Sequence, residues 1–527
     1  MYSTRRDFIR TGVVAAGALS FGPAFWREAL AAPARPGDGP YGPLRPPDAN
    51  GIMLPQGFVS REIARGNAPV TGTNYLWHLW SDGAATFATD DGGWILVCNS
   101  EVPPDVGVPG QQLAADGGAS AIRFRADGSV ASAYRVLSGT STNCAGGPTP
   151  WGTWLSCEEI SEGRVWECDP LGQQPQKVHS AMGVFDHEAA AVDPVGRRVY
   201  LSEDHAEGGF YRYTPDRWPD LSSGLLEIAT VQPGGLVGWT RVPDPAADSA
   251  PTRTQVPGST PFARGEGMWF DSGTVYLCTT VDNRIHAFDV RNDRVELLYD
   301  GQAIADPKIT SVDNITAAPL SGDIFVCEDT NQTPLDMGIV STEGEVGPFL
   351  TVTGDQHRFG ELAGVAFDPS GKRMYFASQR AFGPGVLYEI TGPFRTKRRD
   401  DRRSDGRRIR VDSARSASIE SFLKRGLTVA VVRGGGARVE LALTARMKDA
   451  RGRTRGITVA RRSRNVPDGR KRIEMELRPR RRLRDRLRKR RSLTARLTAT
   501  ITEPGGRRNV ITRTIRFRST RRRRRRR

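Results

Sequence analysis

One short phrase returns along this chain in constant phase, and it constrains the fold more than any single motif does. It consists of a polar residue of ligand type, small residues, an apolar pair, a tight turn, a β-rich run, and a small residue followed by a polar one. Glu188, Glu266, Asp313 and Glu361 open four copies, and Cys144 opens a fifth. The β-rich runs end at Cys98, Cys157, Ser202, Cys278, Cys327 and Ser378, followed by Asn99, Glu158, Glu203, Thr279, Glu328 and Gln379. The openings are spaced by 44, 78, 47 and 48 residues. A period of roughly 45 residues with about four short strands per unit predicts a β-propeller, and six copies predict six blades. In the earliest copy Gly83 stands where the others carry a ligand-type residue. The long step contains a Pro/Gly/Ser-rich stretch, about 230–260, expected to be an insertion loop. A radial repeat brings equivalent positions to its axis, so four carboxylates and one thiol are expected to converge there as a metal centre.

The overall charge of +17 hides a division. From residue 395 onward there are 48 Lys and Arg against 12 Asp and Glu, leaving 28 against 47 in residues 1–394. An acidic module is therefore followed by a basic one, with a charged linker at 394–410. In the basic module, 411–518, apolar and polar residues alternate through Leu427–Val432, Val439–Leu443, Ile473–Leu477 and Leu493–Ile501. Together with the Pro504-Gly505-Gly506 turn signal, this predicts a small antiparallel sandwich of immunoglobulin type. Residues 479–491 are expected to form a short helical connection. The arginine run within 519–527 reads as a disordered tail. The expected fold is thus all-β, a six-bladed propeller over 33–393 followed by a basic immunoglobulin-like sandwich.

Residues 1–32 read as an address. Arg5-Arg6 precede an uncharged stretch from Thr11 to Trp26, and Ala29-Leu30-Ala31 supplies small residues for cleavage. This is the pattern of a twin-arginine export signal. The apolar part is short for a membrane span, and no later segment is apolar enough to cross a bilayer. The expected product is a secreted or periplasmic, envelope-associated monomer with no transmembrane segment after signal removal.

The residue types at the expected axis point to particular ions. Carboxylates suit calcium, which takes six to eight oxygens in irregular geometry. A thiolate in the same place points to a transition metal, so Cys144 beside Glu188, Glu266, Asp313 and Glu361 suggests a mixed cluster. The acidic residues one strand later, Glu158-Glu159, Glu203-Asp204 and Glu328-Asp329, could hold further calcium ions, or cap loops and pair with arginines. Arg264 lies two residues before Glu266, a spacing that faces the same way in an extended segment. Its planar fork would suit a tetrahedral oxyanion such as phosphate; an ion pair with a neighbouring carboxylate is the alternative. Four cysteines at one repeated strand-end position read as small buried core thiols, while Cys157 and Cys168, eleven residues apart, could pair as a disulfide.

The run from Asn143 through Cys144-Ala145-Gly146-Gly147-Pro148-Thr149-Pro150-Trp151-Gly152-Thr153-Trp154 to Glu158-Glu159 resembles the signature of the PhoX-type alkaline phosphatases. His187-Glu188, Arg264-Gly265-Glu266, Ser311-Val312-Asp313-Asn314 and Glu361-Leu362-Ala363-Gly364 follow in that family's order, so the likeness spans roughly residues 50–393. The resemblance implies a six-bladed propeller carrying an iron (Fe3+) and calcium (Ca2+) cluster. It implies that Cys144 is the thiolate on iron, that Glu188, Glu266 and Glu361 ligate the cluster, and that Arg264 with Asn143 binds the substrate phosphoryl group. The assignment of Asp313 and of Glu158, Glu159, Glu203 and Asp204 to calcium is looser. The implied activity is metal-assisted hydrolysis of phosphate monoesters. Two departures bear on substrate range: Ser100 stands where relatives often have His, and Gln379-Arg380 has no following His.

Three function classes follow: a secreted phosphatase acting on a phosphate ester; another calcium-dependent propeller hydrolase, such as a lactonase or phosphotriesterase, which would need neither Cys144 nor Arg264; and a non-catalytic envelope-binding propeller. No G-x-S-x-G elbow or P-loop supports a different hydrolase. The basic module fits an anionic polymer of the envelope. Its near lack of aromatic residues for base stacking argues against nucleic acid.

Overall fold

A computed structural model describes residues 35–103, 117–330, 333–379, 384–396, 410–413, 416–432, 437–448, 454–466, 472–502 and 508–519. The stretch read as an export signal, most of the expected charged linker, the Pro504-Gly505-Gly506 turn signal and the terminal arginine run lie outside these residues. The chain is all-β and divides into two compact units, residues 1–396 and 397–527.

Among the described residues the first unit holds six sheets, each built around strands that are consecutive in sequence and pair antiparallel. Their opening strands are Ser81–Ala88, Asn143–Pro148, His187–Asp193, Gly265–Asp271, Val312–Ala317 and Glu361–Phe367. Each lies against the opening strand of the next sheet, and the sixth returns to the first. Small residues make this closure possible. A Cβ on Gly83 would come within 2.5 Å of the Ala145 Cα, and one on Gly364 within 2.4 Å of the Asp82 carbonyl oxygen. The opening strands His187–Asp193, Val312–Ala317 and Glu361–Phe367 are buried along their whole length, which is why they show no alternating pattern.

The sixth sheet takes its outer strand from the other end of the unit, Val59–Arg65 pairing with Val386–Thr391. This pairing ties the start of the unit to its end. The fifth sheet likewise receives Arg35–Pro36 and Ile52–Met53 on its outer strand, Glu345–Val352. Part of the expected insertion loop is strand: Asp220–Val231 and Val237–Arg241 extend the third sheet. All six cysteines are free and buried. Cys157 pairs opposite Val165, and Cys168 opposite Trp154, so strand register separates the two thiols considered for a disulfide.

In the second unit every run read as alternating forms a strand. Arg410–Ser413, Leu427–Val432 and Arg472–Leu477 make one sheet; Ser416–Ser418, Arg508–Arg518, Ser492–Thr502, Ala437–Lys448 and Thr454–Val466 make another. Their inward residues, among them Val429, Val431, Leu441, Leu443, Leu497 and Phe517, form one core. The expected helical connection is present at Arg481–Leu483 and Arg484–Arg488. A helix not foreseen, Ile419–Arg425, begins at Ser418, whose side chain accepts the Ser421 amide, as an N-cap does. It buries Ile419, Phe422 and Leu423 in the same core.

Candidate metal centre

The opening strands share one irregularity. Pairing with the second strand skips two residues after Ser81, Asn143, His187, Gly265 and Val312. The first residue of each skip is Asp82, Cys144, Glu188, Glu266 and Asp313. A β-bulge turns its residue out of the regular alternation, and here it does so at one level in five sheets. Side chains from neighbouring strands take the backbone groups that the bulges release. Asn99 Nδ2 donates to the carbonyls of Cys144 and Ala145 at 2.9 and 2.7 Å, and Ser202 Oγ donates to the Glu266 carbonyl at 2.8 Å.

The bulged residues converge. Asp82, Glu101 and Cys144 form one group, Cys144, Glu159 and Glu188 a second, and Glu188, Glu266 and Asp313 a third; within each, one ligand atom per residue lies within 4.8 Å of the others. Cys144 is common to the first two groups and Glu188 to the last two, so the donors form a continuous row. The structure thus brings together Cys144, Glu188, Glu266, Asp313 and Glu159 from the sequence-derived set. It adds Asp82 and Glu101, which the sequence reading missed because it placed Gly83 at the ligand position. The first bulge sits one residue earlier in phase than the others, and that offset brings Asp82 forward. Glu361 is in none of the three groups. It pairs in regular register with Gln379, and the skip in its strand falls later, between Ala363 and Ala366.

The row is electrostatically incomplete without cations. Glu188 is fully buried, and both its carboxylate oxygens are without a hydrogen-bond partner. Burial, and then the charges of Glu266, Glu159, Asp313 and Asp82, push its pKa well above the carboxylate range. Glu266 and Asp313 are raised in the same way, by burial first and by Asp204 and Asp82 respectively next. The Cys144 thiol is raised by burial, Asp82 and Glu188. A buried carboxylate with neither donor nor countercharge is strongly disfavoured, so the donor set fits bound cations. Ions binding here would displace protons. Beneath the row the axis narrows to a cavity of about 20 Å³, lined in part by Gly83, Ala145, Gly267, Asn314 and Val365, space for about one water.

The acidic pairs that follow the second strands divide their work. Glu158 accepts the Ser141 amide on one oxygen, and the Arg164 amide and Trp166 indole N–H on the other. Glu328 does the same with the amides of Thr310 and Asp336. Glu203 accepts from the Gly209 amide and the Tyr211 hydroxyl, and pairs with Arg253 at 2.6 Å. These three first members are loop clamps. The second members lie towards the row, because their amides are pinned to the carbonyl ahead of the opening strand: Glu159 to Thr142, Asp204 to Asp186 and Asp329 to Ser311.

Asp204 and Asp329 meet Arg264. Its Nε and Nη2 donate to the two oxygens of Asp204 at 2.9 and 3.0 Å, Nη2 is 2.9 Å from Glu266, and Nη1 is 3.5 Å from Asp329. The ion pairs considered for Arg264 are therefore present, and they hold the guanidinium beside the row. Asn143 is fully buried and engaged within the fold. Its Oδ1 accepts from the Gly118 amide and the Thr140 hydroxyl, and its Nδ2 donates to Ser156 Oγ. His187 is also structural, its Nε2 donating to the Gly183 carbonyl and its ring stacked on Phe185.

Among solved structures, the chain is similar to a structural-genomics protein of unknown function from Bacteroides thetaiotaomicron (10% identity, 63% of this chain and 76% of that one, TM-score 0.39). It is also similar to a chain of a nidogen/laminin complex (11%, 59% and 98%, TM-score 0.34) and to RRP9 WD40 repeats (10%, 66% and 100%, TM-score 0.36). No curated protein matches it. Among described residues no helix is long and apolar enough to cross a membrane. Residues 110–166 and 161–296, which carry Cys144, Glu159, Glu188, Asp204, Arg264 and Glu266, match the family model described as Alkaline phosphatase PhoX, so the resemblance of this chain to the PhoX alkaline phosphatase family is shown over that stretch.

Proposed function

We propose that this chain is an exported, metal-dependent phosphatase that hydrolyses phosphate monoesters at one mouth of a six-bladed propeller. The observation that carries the reading is Glu188, a fully buried carboxylate with no hydrogen-bond donor, set between a cysteine thiol and two further carboxylates. That environment calls for cations. Fe3+ suits the end of the row that contains Cys144, with Asp82, Glu101, Glu159 and Glu188, because soft sulfur favours a transition metal. Ca2+ suits the all-oxygen end, Glu188, Glu266 and Asp313. Bound there, the ions would supply Lewis acidity towards phosphoryl oxygens and a nucleophile at alkaline pH.

The chain's own residues would bind and orient. Arg264 offers a guanidinium at the edge of the row, and its Nη1, 3.5 Å from Asp329, is the end most readily transferred to a phosphoryl oxygen. Asp204 holds the other face of the fork and fixes its direction. Thr280 Oγ1, 3.0 Å from Glu266 Oε1 and 2.8 Å from the Val312 carbonyl, limits how Glu266 turns. Export by the twin-arginine route, a monomeric state and an immunoglobulin-like fold for the basic unit belong to this reading, as does tethering of that unit to an anionic envelope polymer. A role for Glu361 as a further ligand is part of it too, although its strand pairs it in regular register with Gln379 and it belongs to none of the three donor groups.

Metal analysis of the purified mature protein, with p-nitrophenyl phosphate hydrolysis by wild type and Cys144→Ala, tests the reading. Iron together with calcium, and activity lost in the variant, is the expected result. Calcium alone with unaffected turnover would favour another calcium-dependent hydrolase, and absence of both metals would favour a binding module.

A further inference from the structure

The polar residue that closes each second strand serves one of two ends. Glu158, Glu203 and Glu328 hold that position in the second, third and fifth sheets and clamp their own loops. Thr279, in the fourth, turns its hydroxyl to Asp282 and His286 of its own hairpin. Asn99 and Gln379, in the first and sixth, are the two carboxamides of the set, and each reaches across to the next sheet of the ring. Asn99 Nδ2 donates to the carbonyls of Cys144 and Ala145, and its Oδ1 accepts from the Trp154 indole and the Ser156 hydroxyl at 2.8 and 2.9 Å. Gln379, the last residue of Arg373–Gln379, donates from Nε2 to Asp82 Oδ2 at 2.5 Å. The two carboxamides thus flank the end of the row formed by Asp82, Glu101 and Cys144. One holds the backbone of the thiol residue and the other the carboxylate of Asp82.

The contact of Gln379 with Asp82 crosses the seam where the sixth sheet meets the first, and both side chains are buried. Asp82 Oδ1 accepts the Gly83 amide, a bond made within the bulge itself, while Gln379 brings its bond from another sheet. With a donor on each oxygen the plane of the Asp82 carboxylate is fixed, and lone pairs remain for an ion. Glu188, whose oxygens have no hydrogen-bond partner, has no such guide.

We propose that Gln379 is a positioning residue for the metal centre: its amide aims Asp82 at Cys144 and so strengthens the hold of that end of the row on a transition metal. The role rests on the reading of the row as a cation site. Gln379 acts through Asp82, as the hydrogen-bond partners of metal ligands generally do. The bond is charge-assisted, and its loss would leave Asp82 free to turn away from Cys144 under the repulsion of Glu101.

The test is titration of the chelator-stripped full chain with two ions. Co2+ is read by its thiolate-to-cobalt charge-transfer absorption, with Cys144→Ala as the blank, and Ca2+ by calorimetry. Gln379→Met removes the donor and keeps the length of the side chain; Gln379→Asn keeps the amide and withdraws it by one methylene. Each should weaken Co2+ binding about tenfold, the lower end of the range for loss of a ligand's hydrogen-bond partner, and leave Ca2+ affinity within about twofold. In an Asp82→Ala background the same substitutions should change Co2+ affinity by less than about twofold, because the partner they act through is gone. Unchanged Co2+ affinity in both variants, equal loss of both ions, or an undiminished effect in the Asp82→Ala background overturns the positioning role. Absence of the charge-transfer band in wild type overturns the metal-centre reading, and the role of Gln379 with it.

Discussion

Glu188→Gln should change the stability of this protein in opposite directions according to whether cations are present. The substitution keeps the shape of the side chain and removes its charge. Glu188, Glu266 and Asp313 have ligand atoms within 4.8 Å of one another, where two full charges repel by roughly 3 kcal/mol at an effective dielectric of about 20. Metal-free protein escapes part of this by keeping protons, because burial and the neighbouring carboxylates raise all three pKa values. The folded state then holds more protons than the unfolded one. Its stability is greatest below the unfolded carboxylate pKa of about 4 and declines as pH rises through the folded values. At pH 8 with chelator, Glu188→Gln should therefore stabilise by about 1–3 kcal/mol, a rise of a few degrees in Tm; near pH 4 the difference should vanish. With calcium and iron restored the sign reverses, since Glu188 is common to two of the three groups and its loss weakens two ion positions. Differential scanning calorimetry at both pH values, with and without chelator, reads all four conditions. A variant that loses as much stability with chelator as with metal would refute the argument, for Glu188 would then be a packing residue and not a cation ligand.

Other substitutions separate clamps from ligands and anchors. Glu158→Gln should cost about 1–2 kcal/mol by weakening hydrogen bonds to the carboxylate while metal content by elemental analysis stays that of wild type; a loss of bound metal would make Glu158 a ligand after all. Asp204→Asn, which loosens the hold on Arg264, should raise KM for p-nitrophenyl phosphate about tenfold and alter kcat less, and Asp204→Glu should restore part of the loss; steady-state kinetics decide. Gly83→Ala forces a Cβ to within 2.5 Å of the Ala145 Cα and should destabilise by at least about 2 kcal/mol with loss of metal, measured by thermal unfolding and metal analysis on the same preparation.

The parts of this molecule legible in its sequence are those written locally. Strand-and-turn periodicity carried the repeat, and equivalent positions in the repeat carried Cys144, Glu188, Glu266 and Asp313 to one place, because a ring of similar sheets maps sequence phase onto depth along its axis. The alternating runs of the basic unit became strands for the same reason. Pairings between distant segments, such as Val59–Arg65 with Val386–Thr391, leave no local mark.

Near the site, phase alone fell short, by one residue in the first sheet and by three in the sixth. Gly83 and Glu361 hold the repeat's ligand position in sequence, but a bulge is an insertion in one strand relative to its partner, and where it falls decides which side chain turns inward. In the first sheet it falls early and presents Asp82; in the sixth it falls late, after Ala363, and leaves Glu361 regularly paired. The acidic pairs show the same limit, since Glu158 and Glu159 are chemically alike and adjacent. What separates them is that the Glu159 amide bonds back to Thr142 while the Glu158 carboxylate faces the loop amides of Ser141 and Arg164. Residue type and repeat phase therefore narrow the candidates to a level of the ring, and the hydrogen-bond register at that level chooses between neighbours.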